Sequence, residues 1–128
     1  MQSKILLPVI LGTLLLFCIS NRGGATKCNL KNIVVTQTET SEWAHGMSVY
    51  AVTVKNTCDC PQSNVMLACD GFNTTLEMDP LKFQYRVDGG LCPLNNGEPV
   101  VQGHDVNFKY AWDPPFPLQP AKSTIACK

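Results

Sequence analysis

The sequence predicts an all-β fold, a small disulfide-stapled antiparallel β-sandwich (jelly-roll-like or an open barrel) of about five to seven short strands. Three observations support this prediction. Short segments alternate apolar and polar residues, clusters of turn-forming residues separate them, and six cysteines follow an N-terminal apolar run. Alternation with a period of two and one polar face is typical of antiparallel strands that bury one side.

Five segments are predicted to be strands. The alternation is clearest in residues 50–55, 81–88 and 105–110. Residues 33–37 are rich in β-branched side chains, and residues 65–69 place apolar side chains on one face. The same pattern predicts the core residues: Tyr50, Val52, Val54, Val65, Leu67, Cys69, Phe83, Tyr85, Val87, Val106, Phe108 and Tyr110.

Turn-forming residues separate these segments. The clusters are rich in glycine, asparagine and proline, and they lie at 44–46, 61–64, 70–71, 89–90, 95–97 and 102–103. The segment from Asp113 to Pro120 contains four prolines, which lack the N–H that a central strand donates. We therefore predict that it forms an extended arm and does not join a sheet.

The N-terminal 25 residues have the pattern of a signal peptide. Lys4 precedes an apolar run over residues 5–19, and Gly23 and Ala25 occupy the −3 and −1 positions of a cleavage site. Cleavage after Ser20 also fits the pattern, and an uncleaved N-terminal anchor is the alternative. We predict a signal peptide over residues 1–25 and a single secreted β domain over residues 26–128.

The charge of the predicted mature chain gives no reason to bind nucleic acid. Removing Lys4 and Arg22 leaves 8 of the 10 basic residues against 10 acidic ones, a net charge near −2. Nucleic acids and anionic membranes attract basic surfaces. We therefore expect neither nucleic acid nor, after signal cleavage, membrane insertion.

Six of the seven cysteines lie in the predicted mature chain, and Cys18 lies in the signal peptide. An even number behind a signal peptide indicates three disulfides in an oxidising compartment. The six are Cys28, Cys58, Cys60, Cys69, Cys92 and Cys127. The sequence leaves their pairing open, except that Cys58 and Cys60 are too close in sequence to bridge each other without strain. The spacing also lacks the paired motifs of common zinc sites, so we predict no metal and no cofactor.

The sequence contains few candidate catalytic residues. His104 and Asp105 are the only neighbouring histidine and acid, and adjacent residues of a strand point to opposite faces. Asp79, Asp88 and Asp113 are possible carboxylates for glycoside hydrolysis, but each lies beside a predicted turn or strand end. We therefore predict that the protein is not an enzyme, with a small wall hydrolase as a minor alternative.

Two features are expected to lie on the protein surface. Asn73 begins an Asn-Thr-Thr acceptor for N-glycosylation, which would place it on the surface. Trp112 and Phe116 flank the prolines of the arm, and exposed aromatics beside a rigid backbone are frequent interface anchors. Trp43 and His45 in the first long turn are the second choice for partner binding. The alternative is that these aromatics cap the ends of the core.

The ordered set of motifs resembles the plant tapetum determinant family of small secreted cysteine-rich proteins. The resemblance runs from Cys28 to the last cysteine, Cys127. Its segments are residues 33–37, Gly46 with 50–58, 65–69 with Phe72, 79–80 with Phe83, 92–99 and 108–111. No single segment is specific, but their order is. Ser48 departs from the family, which often has proline at that position.

The resemblance implies a function. The founding member of that family is an extracellular ligand of a leucine-rich-repeat receptor-like kinase that specifies tapetal cell fate in anthers. By resemblance, this chain is expected to be secreted to the apoplast and to bind such a receptor ectodomain as a signal in plant cell-fate specification. A carbohydrate-binding module for cell-wall polysaccharide is the alternative. Such a module needs two or three coplanar exposed rings, whereas a receptor ligand needs only scattered anchors.

Overall fold

The computed structural model describes residues 27–85 and 88–127. Six strands form within them: β1 (Ile33–Ala44), β2 (Met47–Asn56), β3 (Gln62–Ala68), β4 (Leu91–Pro93), β5 (Val106–Ala111) and β6 (Gln119–Ile125). The helical segments in these residues are short 3-10 turns at Leu30–Asn32, Asp88–Gly90 and Asn95–Gly97. None of the described helices has the length and apolarity needed to cross a membrane. The predicted signal peptide and Val87 lie outside the described residues.

The strands form two three-stranded antiparallel sheets. One sheet has the order β1-β2-β5, and the other has the order β4-β3-β6. In the first sheet, β1 and β2 form a hairpin, and β5 pairs with the other edge of β2. In the second, the C-terminal strand β6 pairs with β3 opposite the short β4. This architecture confirms the all-β, disulfide-stapled prediction.

The core lies where the two sheets contribute their apolar faces. On the first sheet, Val52 lies opposite Phe108 and Val54 opposite Val106, and all four side chains are buried. The second sheet contributes Val65 and Leu67 from β3. The predicted core residues are confirmed wherever the structure describes them, with Tyr85 partly buried against the rest.

The prediction of a strand at residues 81–88 is wrong. Asp79 starts a turn there, because its backbone oxygen accepts hydrogen bonds from the amides of Lys82 (3.0 Å) and Phe83 (3.2 Å). Its carboxylate also accepts from the Leu81 amide at 2.9 Å. Phe83 makes only an isolated bridge, with Leu94. The alternation therefore reflects two rings, Phe83 and Tyr85, that pack on the core from a loop.

The turn predicted at residues 61–64 is also wrong. Strand β3 already begins at Gln62, whose amide and carbonyl bond the Val100 backbone. Asn64 has a φ of 52°, and the pairing with β6 shifts register between Ser63 and Met66. Turn-forming residues here make a β-bulge within a strand, a feature that local sequence does not separate from a turn.

The proline-rich segment is only partly an arm. Residues 113–118 form no strand, as predicted, but Gln119 and Pro120 begin β6, and Pro120 lies opposite Leu67. The prediction that Pro120 stays outside the sheets is therefore wrong. The reason is that β6 is an edge strand, where a residue without an N–H is tolerated.

Three disulfides tie these elements together. Cys28 pairs with Cys58, Cys60 with Cys127, and Cys69 with Cys92, at Cα–Cα distances of 5.8, 4.8 and 6.0 Å. These distances lie in the normal range for disulfides. As predicted, Cys58 and Cys60 each reach elsewhere, and both ends of the described chain are attached to the connection between β2 and β3.

Candidate interaction surface

The tip of the β1–β2 hairpin carries the most exposed aromatic residue of the described chain. His45 and Gly46, the two residues between the strands, have φ values of 52° and 80°. Positive φ at both positions is the requirement of a type I′ hairpin turn. Trp43 lies just before the turn and is 67% exposed. The predicted exposure of His45 is confirmed, and Trp43 is free of the core.

A break in the hairpin register precedes Trp43. The pairing is regular up to Glu39 opposite Tyr50 and resumes at Trp43 opposite Ser48. Between them the Thr40 hydroxyl donates to the Val49 carbonyl oxygen at 2.8 Å and accepts from the Glu42 amide at 3.1 Å. The hydroxyl thereby satisfies backbone groups that a regular ladder would have paired.

The arm (residues 112–118) starts beside this tip. The Trp112 amide donates to the Ser48 carbonyl oxygen at 3.1 Å, and the Ser48 amide donates to the Asp113 carboxylate at 3.0 Å. The Tyr50 hydroxyl also lies 3.5 Å from the other Asp113 oxygen. Asp113 therefore fixes the start of the arm against β2, next to a cis peptide bond to Pro114.

A closed set of hydrogen bonds holds the middle of the arm. The Tyr110 hydroxyl donates to Gln37 Oε1 at 2.6 Å, and Gln37 Nε2 donates to the Phe116 carbonyl oxygen at 2.6 Å. The Phe116 amide in turn donates to the Tyr110 hydroxyl at 2.9 Å. Burial is the main reason that the pKa of Tyr110 is raised, so the hydroxyl stays protonated and available as a donor.

The two arm aromatics are half-buried. The Phe116 ring lies 4.9 Å from that of Phe72 and 6.0 Å from that of Tyr110, and Trp112 lies 6.3 Å from Phe116 at an interplanar angle of 28°. Both side chains pack against the core cluster. The structure thus places Trp112 and Phe116 together as partial caps of the core, and it places Trp43 and His45 on the exposed tip.

The loop that contains Asn73 docks on the same end of the sandwich. The Thr74 hydroxyl accepts from the Ala111 amide at 2.9 Å. The Thr75 amide donates to the Ala111 carbonyl oxygen at 3.0 Å, and the Thr75 hydroxyl donates to the Ala44 carbonyl oxygen at 2.7 Å. The Asn73 side chain is exposed, and its Oδ1 accepts from the Thr74 amide at 2.8 Å. The Nδ2 atom is thereby left facing away from that contact.

A groove of about 520 Å³ separates the arm from the first sheet. Pro115, Phe116 and Pro117 line one side. The other side consists of Gln37, Glu39 and Tyr50. Burial, followed by the negative charges of Glu39 and Asp113, raises the pKa of the Tyr50 hydroxyl. Sequence reasoning missed Gln37 and Glu39, because these polar residues continue the core-facing side of β1, opposite Val52 and Tyr50, and local sequence does not show that the arm covers that side.

A second cluster, of cysteine sulfur atoms, surrounds the carboxylate of Asp59. The sulfur atoms of Cys28, Cys58 and Cys60 and a carboxylate oxygen of Asp59 all lie within 4.8 Å of one another. Lys27 forms an ion pair with Asp59 at 2.7 Å, and its hydrogen bond lowers the pKa of that carboxyl. The three sulfurs are committed to disulfide bonds, and a metal ligand would have to be a thiolate.

The histidine and acid neighbours singled out in the sequence do not form a cavity site. His104 and Asp105 are both exposed, and the His104 amide bonds the Val101 carbonyl oxygen in a turn. Of the three candidate carboxylates, Asp79 caps a turn and Asp113 holds the arm. The side chain of Asp88 lies outside the described residues.

Comparison with known proteins places this arrangement in a family. The family model described as "Tapetum determinant 1, C-terminal" matches residues 29–128. The chain belongs to the tapetum determinant 1 family. The match contains the Cys60–Cys127 and Cys69–Cys92 disulfides and begins one residue after Cys28, the partner of Cys58. The family assignment and the sandwich therefore refer to the same part of the chain. The predicted resemblance is confirmed.

Curated relatives agree with this assignment. The chain is 29% identical to the Arabidopsis thaliana protein named "TPD1 protein homolog 1", over 78% of this chain and 55% of the relative. It is 27% identical to "TPD1 protein homolog 1A" of Oryza sativa subsp. japonica, over 73% of this chain and 44% of the relative. An uncharacterized Arabidopsis thaliana protein is 31% identical, over 73% of both chains. The chain thus spans about half the length of the first two relatives. No solved structure matches it.

Proposed function

We propose that this chain is a secreted signalling ligand that binds the ectodomain of a leucine-rich-repeat receptor-like kinase in a plant cell-fate pathway. The observation that carries the proposal is membership of the tapetum determinant 1 family across residues 29–128. The three disulfides support it, because such bonds persist in extracellular compartments. Residues 1–25 act as the cleaved signal peptide, and residues 26–128 form the secreted domain.

The interaction surface of this ligand consists of the hairpin tip and the arm. Trp43 offers a large side chain that is already exposed, so it docks without disturbing the core. Trp112 and Phe116 present their outer edges from an arm that prolines and hydrogen bonds hold in place. Such preorganised aromatics lose little conformational freedom on binding. Asn73 carries an N-glycan at the rim of this end.

A receptor ligand is favoured over a polysaccharide-binding module. Among the described residues, Trp43 is the only aromatic side chain that is largely exposed. A sugar platform needs several exposed coplanar rings, and the nearly parallel pair of Trp112 and Phe116 is half-buried against the core. A catalytic role is disfavoured, since His104 and Asp105 lie on an exposed turn.

Binding to a panel of purified leucine-rich-repeat receptor-kinase ectodomains tests the proposal. The secreted, disulfide-bonded chain should bind at least one ectodomain and no polysaccharide on a glycan array. Trp43→Ala should weaken that binding, and Trp112→Ala combined with Phe116→Ala should weaken it at least tenfold, or about 1.4 kcal/mol. Binding to glycans and to no ectodomain would reject the proposal.

Leu81→Ala is the matched control, because Leu81 is a large apolar residue that is 60% exposed and belongs to another loop. It should bind as the wild type does. Secretion yield separates the two roles of the arm aromatics. A double variant that is not secreted assigns Trp112 and Phe116 to the core, and a secreted variant with wild-type affinity removes the arm from the interface.

A further inference from the structure

The groove between the arm and the first sheet is built from two kinds of surface. Pro115, Phe116 and Pro117 supply apolar faces on the arm side. Across from them, Glu39 supplies a carboxylate and Tyr50 a hydroxyl. The volume of about 520 Å³ lies within the range of about 300–1,000 Å³ typical of small-ligand sites.

The groove is rigid. The Gln37–Tyr110–Phe116 hydrogen bonds hold its far wall at distances of 2.6 to 2.9 Å. The bond from the Ser48 amide to Asp113 holds the near end of the arm. A surface groove whose sides are fixed in this way does not have to be assembled when a ligand binds, so less free energy is spent on ordering it.

The charge of the groove is uncompensated. Glu39 and Asp113 both act on the Tyr50 hydroxyl, whose pKa their negative charges raise in addition to burial. Neither carboxylate takes part in the two ion pairs that the described residues form, which join Lys27 to Asp59 and Lys109 to Glu42. The groove therefore presents negative charge without an internal cation.

A hydroxyl with one long hydrogen bond also belongs to this groove. Tyr50 lines the groove and is 9% exposed over the whole residue, and its hydroxyl donates to an oxygen of Asp113 at 3.5 Å. A hydrogen bond of this length is weak, so the hydroxyl oxygen is able to accept a closer one. An N–H donor in the groove would give the Tyr50 oxygen a closer partner.

We propose that this groove is a recognition pocket for an arginine side chain of the partner protein. A guanidinium group carries five N–H donors in a plane, pairs with a carboxylate through two parallel hydrogen bonds and stacks on aromatic faces. Glu39 takes the paired hydrogen bonds, the Tyr50 oxygen accepts a further one, and Phe116 provides the stacking face. The inference rests on the proposed function for the identity of the partner, but the pocket chemistry can be tested alone.

The test titrates N-acetyl-arginine amide into the isotope-labelled mature chain and follows backbone amide shifts by NMR. Saturable shifts should appear at Gln37, Glu39, Tyr50 and Phe116. N-acetyl-citrulline amide, which has nearly the same shape without the charge, should bind at least fivefold more weakly, and the lysine analogue should fall between them. Equal binding of citrulline, or no saturable shift at these residues, would overturn the proposal.

Glu39→Gln should weaken arginine binding at least fivefold, and Glu98→Gln, at an exposed turn outside the groove, should leave it unchanged. The comparison with citrulline needs no variant, so it decides the question even if Glu39→Gln folds poorly. Arginine amide in excess should also displace a receptor ectodomain, while citrulline amide should not. Ectodomain binding without arginine binding rejects the pocket alone, and arginine binding without an ectodomain partner rejects the receptor proposal alone.

Discussion

At the scale of single residues, stability depends on aromatic rings that reach the core from different parts of the chain. Phe83 is fully buried although it lies in a loop, and its ring stacks on that of Phe108 with centroids 4.6 Å apart and planes 5° apart. Phe72 contacts four further rings, those of Phe83, Tyr85, Tyr110 and Phe116. These rings fill the space that the short strands leave open.

Replacing one of these rings should leave a cavity that the core cannot close. We predict that Phe108→Ala lowers the free energy of unfolding by about 3–5 kcal/mol, the usual cost of removing a buried phenylalanine. Urea unfolding of the purified variants measures the change. Leu81→Ala removes an exposed side chain and should stay within about 0.5 kcal/mol of the wild type. An unchanged melting temperature for Phe108→Ala would contradict the assigned core face.

At the scale of elements, the connection between β3 and β4 is held to the first sheet by threonine hydroxyls. The Thr74 hydroxyl accepts a hydrogen bond from the Ala111 amide of β5, and the Thr75 hydroxyl donates one to the Ala44 carbonyl oxygen of β1. Both threonines also belong to the glycosylation acceptor. Residues 73–75 therefore both hold this loop on the first sheet and form the glycosylation acceptor, and variants can separate these two roles.

Thr74→Val keeps the Asn-X-Thr acceptor and the side-chain shape but removes the hydroxyl. The Ala111 amide then loses its partner, so we predict a stability loss of about 1–3 kcal/mol with glycosylation retained. Asn73→Gln should do the reverse, abolishing the glycan while changing the stability of the unglycosylated fold by less than about 0.5 kcal/mol. Mass before and after enzymatic deglycosylation, together with thermal unfolding, distinguishes these results. A wild-type chain without any glycan mass when secreted from plant cells would refute the Asn73 assignment.

At the scale of the whole molecule, disulfides link the parts that the sheets leave loosely connected. Cys28–Cys58 and Cys60–Cys127 attach both ends of the described chain to the short β2–β3 connection. Cys69–Cys92 joins the end of β3 to β4 and closes the long loop between them. Each bond should contribute roughly 2–4 kcal/mol, mainly by restricting the unfolded chain. Domains of this size have a total stability of about 5–15 kcal/mol, so the three bonds decide whether the fold persists.

We therefore predict that the secreted chain contains no free thiol and that reduction unfolds it. Thiol labelling of denatured, unreduced protein should detect none, and the same labelling after reduction should detect the six cysteines of residues 26–128 as an internal control. Peptide mapping should recover the three pairs seen in the structure. One or more free thiols per mature chain would contradict the three-bond arrangement.

Features that depend on neighbouring residues could be predicted from the sequence. The alternation of β2 and β5 has a period of two because successive side chains of a strand point to opposite faces, and only one face is buried. The even cysteine count and the turn at His45 and Gly46 are likewise local signals. The order of motifs was sufficient to predict the family, which the match over residues 29–128 confirms.

Features that depend on distant residues were decided only by the tertiary structure. Alternation at residues 81–88 predicted a strand, but Phe83 and Tyr85 meet the core from a loop, and burial alone produces the same pattern. Gln62 lies in a segment whose residues predict a turn, yet it is fully buried, with its side-chain amide satisfied by the Asn29 carbonyl oxygen and the Ser123 hydroxyl. The groove depends on Gln37 contacting Phe116, 79 residues away. Such partners, like those of the six cysteines, are set by how the two sheets pack, because a polar side chain on a strand becomes part of a site only when a remote segment folds against it.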